Sequence, residues 1–118
     1  MMIPPIETTT LERILPRVEK PGRYVGGELN QVVKNWDQIQ TRVALAFPDI
    51  YDIGLPNLGL AILYDTLNQR EDVLAERTYL PWTDMQEAMR QHHLPLYSLE
   101  TRHAITNFDI LGVTLPYE

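Results

Sequence analysis

Apolar residues along this chain gather in three runs separated by segments with helical spacing, the alternation expected of βαβ units. The first run, Val43-Ala44-Leu45-Ala46-Phe47, is continuously apolar, which predicts a central parallel strand covered on both faces. Asn57 predicts an N-cap for a helix carrying Leu60, Leu63, Tyr64 and Leu67 on one face. Leu58 and Ile62 widen that stripe, and so broad a stripe predicts deep burial. Val73 to Leu80 reads as a second strand, nearer an edge because Glu76 and Arg77 interrupt it and Pro81 follows it. Thr83-x-x-Gln86 has the form of a capping box and opens a helix with Met85, Ala88, Met89 and His92 at spacings of three and four, stopped by Leu94-Pro95. Phe108 to Leu115 is the third strong strand, with Leu96 to Leu99 a weak fourth.

Ahead of these units, Thr9-x-x-Glu12 is a second capping-box pattern, followed by Leu11, Ile14, Leu15 and Val18 at helical spacing. Pro16 ends or kinks that helix, which is expected to lie outside the main fold. Pro21, Gly22, Gly26 and Gly27 then force turns, so the segment up to residue 41 reads as a helix and an ordered arm ahead of an α/β domain over 42–118. The expected fold is a flavodoxin-like three-layer sandwich with a mainly parallel sheet. It reads as truncated, because such sheets usually carry five or more strands.

A chain of 118 residues reads as soluble and buries a core without disulfides or metal. Its formal charge of −6, with no Lys/Arg cluster, argues against nucleic acid as a partner. The absence of cysteine removes thiolate metal sites, iron–sulfur clusters and thiol nucleophiles from what these residues hold by themselves. No apolar run approaches the roughly 20 residues of a membrane span, and the start, Met1-Met2-Ile3-Pro4-Pro5, lacks the basic and apolar regions of a secretion signal; a cytoplasmic location is the default.

The chemistry-bearing stretch is Pro48-Asp49-Ile50-Tyr51-Asp52-Ile53-Gly54, at the hand-over from the first strand to a helix, where open α/β sheets bind ligands. A dinucleotide fingerprint fails, because Gly54 and Gly59 are too far apart and no third glycine is suitably placed. A P-loop has the right gap from Gly54 to Gly59, but Leu60-Ala61 stand where the lysine and hydroxyl residue belong. A phospho-acceptor domain needs an aspartate at the end of the third strand, where this chain has Thr114-Leu115-Pro116.

Asp49-x-Tyr51-x-x-Gly54 after a buried strand resembles the D-x-H-x-x-G pattern of cobalamin-binding domains. In that family the histidine ligates cobalt, the aspartate orients it and the glycine admits the nucleotide tail, the arrangement general to metal-bound histidine. Thr114 falls where the family has a small hydroxyl residue lining the tail pocket. Position 51 is tyrosine, a poor substitute for imidazole on cobalt, so the resemblance implies at most a corrinoid held base-off without a histidine ligand. With "PGRYVGGELN", "FPDIYDIGLPNLGLAILYDTLNQREDVLAERTYLPWTDM", "LYSLETR" and "FDILGVTLPYE", the chain resembles the amino-terminal part of a family of radical S-adenosylmethionine (SAM) proteins that carry a degenerate cobalamin-binding-like domain ahead of a barrel. The resemblance implies that the 4Fe-4S cluster and SAM belong to that downstream barrel, the partner within the same polypeptide, and that this chain alone is not catalytic. It also implies that cobalamin, where bound, meets Asp49, Tyr51, Asp52, Gly54, Asn57, Gly59 and Thr114. The competing expectation is an interaction or substrate-gating module that no longer binds cofactor.

Plainer readings stand beside these. Asp49 and Asp52 satisfy loop and helix-start amides, Tyr51 caps the sheet end, Gly54 and Gly59 serve backbone packing, and Thr114 is a β-branched strand residue. His92, His93 and His103 lack metal spacing and are expected at the surface, as are the charges of Glu76, Arg77 and Asp84 around an anchoring Trp82.

Overall fold

The computed structural model describes residues 4–28 and 30–114. Strands β1 (Thr41–Phe47), β2 (Val73–Tyr79) and β3 (Ile110–Val113) form one sheet in the order β2-β1-β3, both pairings parallel. Helices α1 (Thr8–Ile14), α2 (Tyr51–Gly54), α3 (Leu58–Asn68) and α4 (Thr83–Gln91) complete the fold. The order and direction are those of the first three strands of a flavodoxin-like α/β fold. Because the crossover through α3 runs to one side of β1 and that through α4 to the other, right-handed connections put the two helices on opposite faces.

The continuously apolar run is the central strand, as its pattern implies. Its odd residues Val43, Leu45 and Phe47 pack with Leu60 and Tyr64 of α3, forming the main core with Val73, Ala75 and Tyr79. On the other side Leu11, Ile14, Val18 and Tyr24 pack with Met85, Met89 and Tyr97. Helix α1 thus belongs to a core shared with α4 rather than lying outside the fold, because its apolar face covers Met85 and Met89.

Neither capping box forms. Helix α1 starts one residue before Thr9 with Glu7 at its N-cap, α4 has Trp82 there, and neither cap makes a side-chain bond. Asn57 does cap α3, its Oδ1 accepting from Leu60 N at 2.9 Å. The wide stripe of α3 is not deeply buried: Leu60 and Tyr64 face the sheet, while Leu58, Ile62 and Leu63 are 72%, 55% and 48% exposed. An isolated helix laid on a sheet turns only part of its circumference inward.

Strand β2 flanks the sheet as expected, yet all seven residues are buried. The cause is segment 97–104, which folds over it: Leu99 N donates to Arg77 O and Thr78 Oγ1 to Tyr97 O. That segment is no fourth strand, pairing only through an isolated antiparallel bridge, Tyr97 to Ala104. Strand β3 is shorter than its sequence run; Leu115 lies outside the described residues, and Ile110, Leu111 and Val113 are about half exposed.

Candidate functional site

Phe47 ends β1, and the chain turns through Pro48 and Asp49 into α2, so residues 49–54 lie at the carboxyl rim of the central strand. The turn is tied down at both sides. Asp49 N donates to Phe47 O, Asp49 O accepts from Leu80 N at the end of β2, and Asp49 Oδ1 accepts from the Ile50 amide at 2.8 Å. Asp49 therefore spends one carboxylate oxygen on the amide that follows it in its own loop.

Tyr51 opens α2. Its ring meets Tyr79 edge-on, centroids 5.7 Å apart, and its hydroxyl donates to the Glu28 carboxylate of the arm. Partial burial, reinforced by the Glu28 bond and charge, pushes the phenol pKa up to about 12, so it is a neutral donor at physiological pH. Asp52 also engages the arm: Arg23 Nη2 lies 3.0 Å and Lys20 Nζ 3.3 Å from its Oδ2. The hydrogen bond from Arg23 holds the Asp52 carboxyl below the usual range, although the group is exposed and its pairs are solvent-screened.

Gly54 is buried because nothing larger fits: a Cβ there would sit 2.4 Å from two ring carbons of Tyr79. Gly59 follows the Asn57 cap, where a Cβ would approach Asn57 Oδ1 to 3.3 Å. Thr114, just past β3, donates its amide to Ala46 O at 2.9 Å. Asp49, Tyr51, Asp52, Gly54, Asn57 and Gly59 thus lie along one loop and the helices it feeds, and Thr114 lies at the same end of the adjacent strand.

The arm closes over this rim. Tyr97 donates its hydroxyl to Tyr24 O, Tyr24 accepts from Trp82 N and Val32 N donates to Tyr64 Oη; at the opposite end of β2, Lys34 Nζ reaches three carbonyls, of Asn68, Arg70 and Val73, at 2.7–2.8 Å. Gly26 and Gly27 bend it with φ of 72° and 76°. At Gly26 the approach is so close that a Cβ would sit 2.3 Å from Leu99 O. The cavity left between Tyr51, Tyr79, Tyr24 and Tyr97 measures about 20 Å³, room for one water.

Several residues depart from the sequence reading. Glu76 is wholly buried, and its carboxylate accepts from Ser98 and Thr101 hydroxyls; desolvation raises its pKa. Arg77, 7% exposed, pairs with Glu100 through Nε at 2.9 Å and lies 4.1 Å over the Tyr64 ring. Both are interior because segment 97–104 supplies the partners that a buried charge requires. His103 is buried too, stacked on Trp36 at 3.7 Å with Nδ1 2.6 Å from Thr101 Oγ1. Trp82 is half exposed beside Arg23, and Asp84 accepts from Glu19 N. Lys20, Arg23 and Glu28, the partners of the rim loop, carry no periodic signal and lie more than twenty residues away from it in sequence.

No helix among the described residues is long and apolar enough to cross a membrane. No curated protein and no solved structure matches the chain. A family model described as "Radical SAM proteins, N-terminal" matches residues 59–118, from Gly59 through all of β2, α4 and β3, so that the loop 49–54 lies ahead of the match. Since that match takes in half of the chain, this protein belongs to the family of radical SAM proteins, as part of their N-terminal region.

Proposed function

We propose that this chain is an accessory module that serves a radical SAM barrel as an interaction or substrate-gating surface, and that its rim loop clasps the arm instead of ligating cobalt. One observation carries the reading: the hydroxyl of Tyr51 donates to Glu28. A phenol held neutral and already committed as a donor does not suit a metal, which takes an anionic or lone-pair ligand. The residues present therefore do not fit a protein-ligated corrinoid. They do not fit a 4Fe-4S cluster either, since the chain has no cysteine; the cluster and SAM would belong to a downstream barrel of the same polypeptide.

A second reading is a corrinoid bound base-off without a protein ligand. It is favoured by the junction of β1 and β3, the switch point of this strand order, where Thr114 and the loop with Asp49, Asp52, Gly54, Asn57 and Gly59 lie at the same end. In that reading these residues contact the nucleotide tail and Tyr51 faces the ring. The test is to mix the full-length protein with hydroxocobalamin, separate by gel filtration and record the visible spectrum. A colourless protein peak is expected; co-elution with a shifted band would replace the first reading by the second.

A further inference from the structure

Glu76, Ser98, Thr101 and His103 gather where segment 97–104 covers β2; Glu76 and Ser98 are wholly buried and His103 is 5% exposed. Oε1 of Glu76 accepts from the Ser98 hydroxyl and, at 3.2 Å, from the Thr101 amide. Thr101 Oγ1 lies 2.7 and 2.9 Å from the two oxygens of Glu76 and 2.6 Å from His103 Nδ1. A hydroxyl has one proton and cannot donate to both neighbours. Beside a Glu76 carboxylate, which only accepts, Thr101 donates to Glu76, and Nδ1 must carry a proton that it gives to Thr101. We propose that Glu76 and His103 share one proton through Thr101 and titrate as a single buried couple, a latch that fastens segment 97–104 to β2.

Charge favours the sharing. Arg77 is already closed on Glu100 at 2.9 Å, and burial, joined by the Glu100 charge, pushes the Glu76 carboxyl up. With the shared proton aboard the couple is neutral overall, as Glu76 carboxylate with His103 imidazolium or as Glu76 carboxyl with an imidazole protonated on Nε2. The two forms interconvert when Thr101 gives its proton to Glu76 and takes the one on Nδ1, so no charge leaves the cluster. Without that proton one negative charge stays buried, which is costly. The His103 ring stacks on Trp36 at 3.7 Å; Arg42, 5.0 Å over the same indole, pairs with Asp109, and Arg102 is turned to Val25 O. Helices α1 and α4 bring Leu11, Ile14, Met85 and Met89 to this face. Since folding raises the Glu76 carboxyl, the latch is complete below the ordinary carboxyl range and weakens as pH rises through the folded value. Segment 97–104 also holds the arm, through Tyr97 on Tyr24 O and Arg102 on Val25 O, whether or not the rim loop meets a corrinoid.

The experiment follows the Glu76 carboxyl carbon by ¹³C and the His103 ring nitrogens by ¹⁵N NMR, from about pH 4 to about pH 9, in the wild-type protein, Thr101→Val and Thr101→Ser. In wild type both signals are expected to move at one shared midpoint, with the proton of neutral His103 on Nδ1 on the alkaline side. Thr101→Ser keeps the hydroxyl and the shared midpoint; Thr101→Val keeps the shape, removes the relay and separates the two midpoints by at least about one unit. Amide exchange at Ser98 and Leu99, which donate to His103 O and Arg77 O, should quicken above the shared midpoint once the intrinsic pH dependence is divided out. Separate midpoints in wild type, an Nε2–H imidazole on the alkaline side, a shared midpoint that survives in Thr101→Val, or exchange indifferent to the midpoint would overturn the proposal.

Discussion

At the scale of single residues, Tyr51 decides how the rim is read. Removing its hydroxyl in Tyr51→Phe deletes one bond to a carboxylate and is expected to cost about 1–2 kcal/mol in denaturant unfolding. Hydrogen exchange should quicken at arm amides 22–28 and in α2 while β1 stays protected, because the bond joins the arm to α2 and takes no part in the sheet. The phenol also sets a pH dependence. Its folded pKa is raised above the unfolded value near 10, so the folded state holds this proton more tightly. The stabilisation is therefore complete below pH ~10 and is lost as pH rises toward about 12, which thermal unfolding across alkaline pH should show and Tyr51→Phe should flatten. Gly54→Ala should destabilise by roughly 1–3 kcal/mol, since its methyl must displace the Tyr79 ring from a packed position. Of these residues the sequence marks Tyr51 and Gly54 by their place after a buried strand, but not Glu28, because a bond across 23 residues leaves no periodic trace.

At the scale of elements, the legible features were those written locally. The unbroken apolar run of β1 predicted its central place, and Asn57 predicted the cap it makes. Thr9 and Thr83 had the same local form as true caps and failed, because the first turn was set by α1 packing on α4 and by the close of β2, which a four-residue pattern does not contain. Glu76 and Arg77 misled for the same reason: polarity in a strand signals exposure only when no other segment brings partners, and here Ser98, Glu100 and Thr101 do. Strand β3 shows the converse. It is apolar on both faces, yet Ile110, Leu111 and Val113 are about half exposed, an arrangement that favours strand addition. The isolated chain is accordingly expected to self-associate in a concentration-dependent way, and Leu111→Lys to shift sedimentation toward monomer without lowering the melting temperature by more than a degree or two.

At the scale of the whole molecule, an arm grips the carboxyl rim of a three-stranded sheet through Tyr51–Glu28 and Asp52–Arg23, α3 through Tyr64–Val32, and the opposite end of β2 through Lys34 on three carbonyls, with apolar clusters packed on both faces of the sheet. Membership in the family places these residues in the N-terminal region of radical SAM proteins, and the clasp shows which partners the rim residues hold. The measurement that reaches this claim most directly is a ¹³C titration of the Tyr51 ζ-carbon in tyrosine-labelled protein, repeated in Glu28→Gln. The account requires a midpoint at about 12 that falls when the Glu28 charge is removed. A midpoint near the ordinary value of about 10 in both proteins would contradict it, because the phenol would then be neither desolvated nor bound to the arm.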